Sequence, residues 1–323
     1  MTVLFGGGGA QRPRRQTPHK KKAEQGGNMA VLNPGPVRLS VPAADVVMDL
    51  HGDPAHHDLA LFVHGSDWMV MEDLLRAFRA AYPEFGDVYY ETLPAGILVR
   101  QMREGALQVG DLVIRVPPDV IAAGSATLAE LAEEEWLAEY QEYASTTLTI
   151  LVRQGNPLGI IGWSDLLRPE VRVALPNPER EEIGRLVREA VVRALGEEGW
   201  MELCERRRLY GANRLTEIHH RQTPQWVLEG EVDAGPVWVT EALHQAREGA
   251  PLEAAELPEG ESRRGRFALG IVERTCRHPE AAQAFVEFVR GPSGRAVYEQ
   301  HGFEAPGAHE PAYESAPAGP LEV

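Results

Sequence analysis

Leu59-Ala60-Leu61-Phe62-Val63 is a short continuous apolar block, the pattern of a strand buried on both faces. Beyond His64-Gly65, apolar residues at Trp68, Met71, Leu74, Leu75, Phe78 and Ala81 follow helical spacing, which predicts a helix over 67–82 with Ser66 as its N-cap. Val88-Tyr89-Tyr90 reads as a second strand, Pro94-Ala95-Gly96 as a turn, and the stretch through Leu98, Gln101 and Met102 as a second helix. Leu112-Val113-Ile114 supplies a third strand. The order β-α-β-α-β predicts an open parallel sheet with helices on both faces.

After an acidic helix around 127–143 and a strand at Leu148–Val152, the same alternation restarts. A helical signal at Trp163–Leu167 precedes a strand at Val171–Leu175, and residues 180–196 place Ile183, Leu186, Val187, Ala190, Val191, Ala194 and Leu195 on one helix face. A strand at Leu215–Ile218, a short helix at Pro224–Glu229 and a strand at Val232–Val239 interrupted by Gly235-Pro236 follow. A Glu/Pro/Gly-rich loop at 248–265 leads to a strand at Phe267–Val272 and a last amphipathic helix through Ala281, Ala282, Phe285, Phe288 and Val289. The pattern implies a second α/β unit inserted into the first. Lobe 1 is expected over 58–154 plus 258–306, lobe 2 over 155–257, an irregular arm over 1–57 and a loose tail over 307–323.

Charge modifies this picture at one end. The chain of 323 residues carries a formal net charge of −16, yet residues 1–28 hold six Lys/Arg against Glu24 alone, leaving −21 on the remainder. An acidic globule argues against nucleic-acid binding. The arm is nearly free of apolar residues and reads as disordered or as upstream translation before Met29. It lacks the apolar run of a secretory signal, so a cytoplasmic location is expected from the sequence as it stands. No stretch approaches the roughly 18 apolar residues of a membrane-spanning helix. Cys204 and Cys276 stand alone, without metal-ligand spacing.

Several stretches together resemble the type II periplasmic solute-binding proteins of ABC transporters, in particular the molybdate-, tungstate- and sulfate-binding branch. Leu98-Val99-Arg100-Gln101-Met102 with Glu104-Gly105-Ala106, Trp163–Leu167 followed by Val171–Leu175, and Asn177-Pro178 before Ile183-Gly184 are similar to motifs of that family. So are Gly230–Gly235 and the closing His278-Pro279-Glu280-Ala281-Ala282 with Gly302-Phe303. The resemblance implies an α/β, two-lobe type II fold, each lobe a mostly parallel sheet flanked by helices, with the ligand cleft between lobes. It implies a monomeric solute-binding protein that closes around an oxyanion or carboxylate and serves an ABC transporter permease, in which case its place is periplasmic or extracellular. Of the branch's hydroxyl ligands, Ser66 matches the first; the second falls at Ala95-Gly96, and Trp238 stands at the tyrosine position.

Read from the residues, ligands of such sheets bind where strands feed helix N-termini. Four places qualify: Ser66 and Asp67; Thr92 and Gly96; His219, His220, Arg221 and Thr223; and Trp238 with Thr240. Thr223-Pro224 has the form of an N-cap followed by a first-turn proline, and Thr240 that of a cap for the next helix. His219-His220-Arg221 beside a helix N-terminus suits an anion, since clustered cations there repel one another. A metal site is the competing reading of the histidines, and a packed polar loop the plain one. Each of the other three places reads equally well as a cap, a turn or a buried aromatic. No GxSxG elbow, P-loop, GxGxxG or HExxH is present, so neither an enzyme nor a cofactor is expected. A cytosolic ligand sensor and a metal-dependent enzyme on the same fold are the alternatives.

Overall fold

A computed structural model describes residues 37–39, 48–258 and 260–307. The elements run in the order β1 (Val37–Leu39), β2 (Leu50–His51), β3 (Leu59–Val63), α1 (Met71–Ala81), β4 (Val88–Glu91), α2 (Ala95–Glu104), β5 (Leu107–Val109), β6 (Leu112–Ile114), β7 (Val120–Gly124), α3 (Ser125–Glu133) and β8 (Gln141–Arg153). Then follow β9 (Ala174–Leu175), α4 (Glu182–Met201), β10 (Arg214–Leu215), α5 (Gln222–Glu229), β11 (Ala234–Trp238), α6 (Val239–Arg247), β12 (Leu252–Ala255), β13 (Arg264–Ile271), α7 (Pro279–Arg290) and α8 (Pro292–Gln300).

In lobe 1, β4, β3 and β7 run parallel, β13 joins β7 antiparallel, and the first half of β8 closes the row. The apolar run of β3 is explained by burial on both sides. Leu59, Leu61 and Val63 face one core with α1 and α7, while Ala60 and Phe62 face the other with α2 and α3. In lobe 2, the second half of β8 pairs antiparallel with β11 and β12, and β9 pairs parallel with β10.

Three of the expected elements need correction. Leu112–Ile114 is not the third parallel strand; β6 forms a hairpin with β5 in a side sheet that includes β1. The parallel position belongs to β7, whose Val-Ile-Ala-Ala-Gly composition gives a weak apolar signal. The acidic helix ends at Glu133, not 143, because β8 starts at Gln141 and runs 13 residues. Gly235-Pro236 does not interrupt β11, which continues in register opposite Leu151 and Ile150.

The sheets of the two lobes are also joined rather than separate. Thr147 still pairs with β13, whereas Leu148 pairs with β11, so one strand changes sheet in mid-course, before the boundary expected at 154. The returning chain crosses beside it: the Leu148 amide donates to the Arg263 carbonyl (2.8 Å) and the Ser262 hydroxyl to the Leu148 carbonyl (2.7 Å). The ordered fold also begins earlier than residue 58, since β2 pairs antiparallel with β4. The rest of the expected arm (1–36 and 40–47) and residues 308–323 of the tail lie outside the described residues.

A buried acid sits at the end of β4. Glu91 is fully buried; its Oε1 accepts from Tyr89 Oη (2.6 Å) and Gln101 Nε2 (2.8 Å), while its Oε2 and Gln101 Oε1 both lack a donor among the described residues. A carboxyl proton on Oε2 supplies the donor that this acid–amide pair needs. Burial, opposed by those two hydrogen bonds and aided by the Asp49 charge, pushes the Glu91 pKa up to about 7. Because the folded chain holds this proton to higher pH than the unfolded chain, stability is lost as pH rises from about 4.5 to about 7. Glu91→Gln should flatten that slope and raise stability at pH 8 by roughly 1–3 kcal/mol, measured by urea unfolding across pH. An unchanged slope would show that another group is responsible.

Candidate ligand site between the lobes

The turn after β3, the ends of β11 and of the loop before α5, and the starts of α2 and α4 converge on a cavity of about 20 Å³. Its walls are His64, Gly65, Ser66, Pro94 and Ala95 from lobe 1 and Glu181, Glu182, Ile183, His219, His220 and Trp238 from lobe 2, with Phe267 at the back. A space this small is on the scale of an inorganic ion, far below the roughly 300 Å³ of a site for an organic ligand.

The polar groups here are positioned by hydrogen bonds on their outer sides. Glu181 is the N-cap residue of α4 and is buried. Its Oε2 accepts from the His220 amide (2.7 Å) and from His220 Nδ1 (2.8 Å), and its Oε1 from Thr216 Oγ1 (2.6 Å). Burial opposes its ionisation, but the bond and charge of His220 and the bond from Thr216 outweigh it and hold the carboxyl below its usual range. The ionised carboxylate fixes the proton of His220 on Nδ1 and turns Nε2 inward. That Nε2 is buried and has no partner among the described residues. Trp238 Nε1 donates to Ser66 Oγ (2.9 Å) across the cleft, leaving the Ser66 hydroxyl hydrogen for a second acceptor. Ala95 in α2, and Glu182 and Ile183 in α4, line the cavity at first-turn positions whose amides have no acceptor inside their helix.

Of the ten residues singled out from the sequence, Ser66, His219, His220 and Trp238 meet at this cavity. Ser66 does not cap α1; it lies in a 3₁₀ turn, Gly65–Asp67, ahead of it. Asp67 points into the interior of lobe 1, where Oδ2 accepts from Tyr143 Oη (2.5 Å) and Tyr298 Oη (2.9 Å). Since Tyr143 gives its one proton to Asp67, His64 Nε2 donates to the Tyr143 oxygen (3.1 Å). Burial raises the pKa of Asp67 and lowers that of His64. Thr223 does not cap α5, which starts at Gln222 with Arg221 as N-cap, and Thr240 lies inside α6 rather than at its cap, Trp238. Both threonine hydroxyls are buried without a partner among the described residues, and neither residue lines the cavity.

Arg221 does not line the cavity either; it joins the two lobes. Its Nη2 is paired with Asp49 Oδ1 and donates to the Thr92 carbonyl (3.1 Å), while its Nε donates to His219 Nδ1 (3.2 Å). Asp49 is fully buried; it also accepts from Thr92 Oγ1 (2.8 Å) and lies 3.2 Å from His219 Nε2. Burial opposes its ionisation, but the His219 bond and the Arg221 charge prevail, so its pKa is lowered. Trp68 Nε1 adds a bond to Glu241 Oε2 (3.3 Å). Gly96 allows close approach: a Cβ there would come 3.1 Å from the Arg180 carbonyl of lobe 2.

Sequence reasoning missed Asp49, His64, Glu181 and Glu182. Asp49 fell within the stretch read as an arm, and the two glutamates within the start of the helix read over 180–196. His64, directly after a strand and before Ser66, carried a legible positional signal.

A family profile described as bacterial extracellular solute-binding protein matches residues 60–304. The chain is 25% identical over 238 residues to a molybdate-binding protein ModA of Mycobacterium bovis, covering 71% of this chain and 82% of that protein. It is 30% identical over 128 residues to a thiosulfate-binding protein of Pseudomonas aeruginosa, covering 36% and 39%. Among solved structures, the sulfate-binding protein SubI of Mycobacterium tuberculosis superposes with a TM-score of 0.67 at 20% identity, covering 78% of this chain and 88% of that one. The periplasmic molybdate-binding protein of Azotobacter vinelandii superposes with a TM-score of 0.60 at 18% identity, covering 77% and 99%. With that match spanning both lobes and the cavity between them, the chain belongs to the bacterial extracellular solute-binding proteins, and its role is to bind a solute rather than to transform one.

Proposed function

We propose that the protein captures a small oxyanion in the cavity between its lobes and hands the closed form to the permease of an ABC-type uptake system. The observation that carries this is His220 Nε2, buried and unpartnered at a cavity where the first turns of α2 and α4 open. With Nδ1–H held by Glu181, a second proton taken up at Nε2 together with an anion turns that nitrogen into a charge-assisted donor to an anion oxygen. Ser66 and the first-turn amides complete a donor set suited to several oxygens on one centre. The names of the relatives, binders of molybdate, thiosulfate and sulfate, support the same class of ligand. A metal reading has less support, because no three His, Cys, Asp or Glu side chains among the described residues form a group able to hold an ion. Closure is proposed to hinge where β8 changes sheet and where 258–263 runs back beside it.

The test is calorimetric titration with molybdate, tungstate, sulfate, thiosulfate and phosphate, alongside thermal shift. One of these should bind at 1:1 and raise the melting temperature by mass action. His220→Asn should weaken it by about 10- to 100-fold, the worth of a hydrogen bond to a charged group. If no oxyanion in the panel binds, the reading is wrong.

A further inference from the structure

One residue lining the cavity has the opposite character. Glu182, the first residue of α4, lines it, and its carboxyl lies against Gly124 of lobe 1, in the space a Cβ there would need. Only glycine at 124 lets this carboxyl reach the other lobe. No described residue donates a hydrogen bond to it or forms an ion pair with it; Arg185, one turn on, acts through space. Burial, with Arg185 opposing and Glu189 adding to it, raises its pKa to about 7.

A carboxylate offers lone pairs only, and so do the oxygens of a fully deprotonated oxyanion. Brought together in so small a space, two acceptors repel and leave both hydrogen-bonding capacities unmet. Hydrogen phosphate and hydrogen arsenate keep one O–H near neutral pH, whereas sulfate and molybdate keep none. Resting on the oxyanion reading above, we propose that Glu182 is a specificity-determining residue that selects an oxyanion still carrying a proton, the hydrogen phosphate and arsenate class, over sulfate and molybdate. The ligand's O–H donates to Glu182, while His220, Ser66 and the first-turn amides donate to its remaining oxygens. A site built around a donated hydrogen bond rejects an otherwise similar ligand that lacks it, by factors reaching about 10⁴. The preference would thus run against the anions that the relatives' names print.

The experiment is calorimetric titration of the wild-type chain, Glu182→Gln and Glu182→Ser with inorganic phosphate, sulfate and molybdate at pH 7.5, above the raised pKa of the carboxyl. The other titratable groups facing it, Glu181, His219 and His220 from lobe 2, His64 from lobe 1 and Glu189 on its own helix, are unchanged between these proteins, so the comparison isolates Glu182. Wild type should bind phosphate at least about 100-fold more tightly than sulfate or molybdate. Glu182→Gln, whose amide can donate, should cut that ratio by about 100-fold through gained sulfate affinity as well as lost phosphate affinity, and Glu182→Ser should cut it through lost phosphate affinity. Tighter wild-type binding of sulfate or molybdate, or the same ratio in folded variants with unaltered melting temperature, overturns the proposal and leaves the oxyanion reading standing. If none of the three binds wild type but tungstate or thiosulfate does, the proposal falls alone; if no oxyanion binds at all, both fall.

Discussion

Arg221→Ala should weaken ligand capture about 30- to 1,000-fold although no cavity contact is removed. The guanidinium ties Asp49 and the Thr92 carbonyl of lobe 1 to His219 of lobe 2, and Asp49 is fully buried. Removing one member of a buried charge pair costs roughly 3–5 kcal/mol, because the other charge is stranded. Here the Thr92 hydroxyl and His219 remain on Asp49, so about 2–4 kcal/mol is the better expectation. The open form can rehydrate the carboxylate, and so the cost falls mainly on closure. Small-angle scattering should show an expanded chain at ligand concentrations that close the wild type. Arg221→Lys should recover only part of the loss, since an ammonium cannot reach three acceptors set in a fork. Asp49→Asn combined with Arg221→Ala should cost less than the two changes summed. Wild-type closure in Arg221→Ala would show that the ion pair does not govern it.

Trp163→Ala should cost about 4 kcal/mol in urea unfolding, within the range for emptying a large aromatic site. Trp163 is fully buried in the lobe 2 core, and its Nε1 donates to the Glu261 carbonyl (3.0 Å) on the returning crossover. Truncation leaves both a void and an unpaired, half-buried carbonyl. Leu186→Ala, on a side chain only partly buried against the same core, should cost nearer 1 kcal/mol. Equal losses for the two would contradict this packing.

Local pattern carried much of the architecture because it reports burial. Apolar blocks such as 59–63 and the helical spacing of 71–78 are dictated by which faces meet a core, and that signal lies within a few neighbouring residues. Hence β3, β4, α1, α2, α4 and α7 were legible, and the ordered motifs pointed to the family. The weak elements were those whose burial is supplied from elsewhere: β7 with its small residues, and β9 and β10, each two residues long and held by neighbours.

Chemistry followed another rule. His220 and Ser66 could be picked out as polar residues entering helices, which is a local property. That Arg221 would face Asp49, 172 residues away, rather than the cavity could not be read from its neighbours. The same holds for Glu181 orienting His220 and for Glu182 reaching Gly124. By itself the sequence determined the strongly patterned strands and helices and the two-lobe class. The tertiary structure alone decided which polar groups spend their hydrogen bonds on one another and which are left facing the cavity, because satisfying a buried charge depends on partners that only the closed fold brings together.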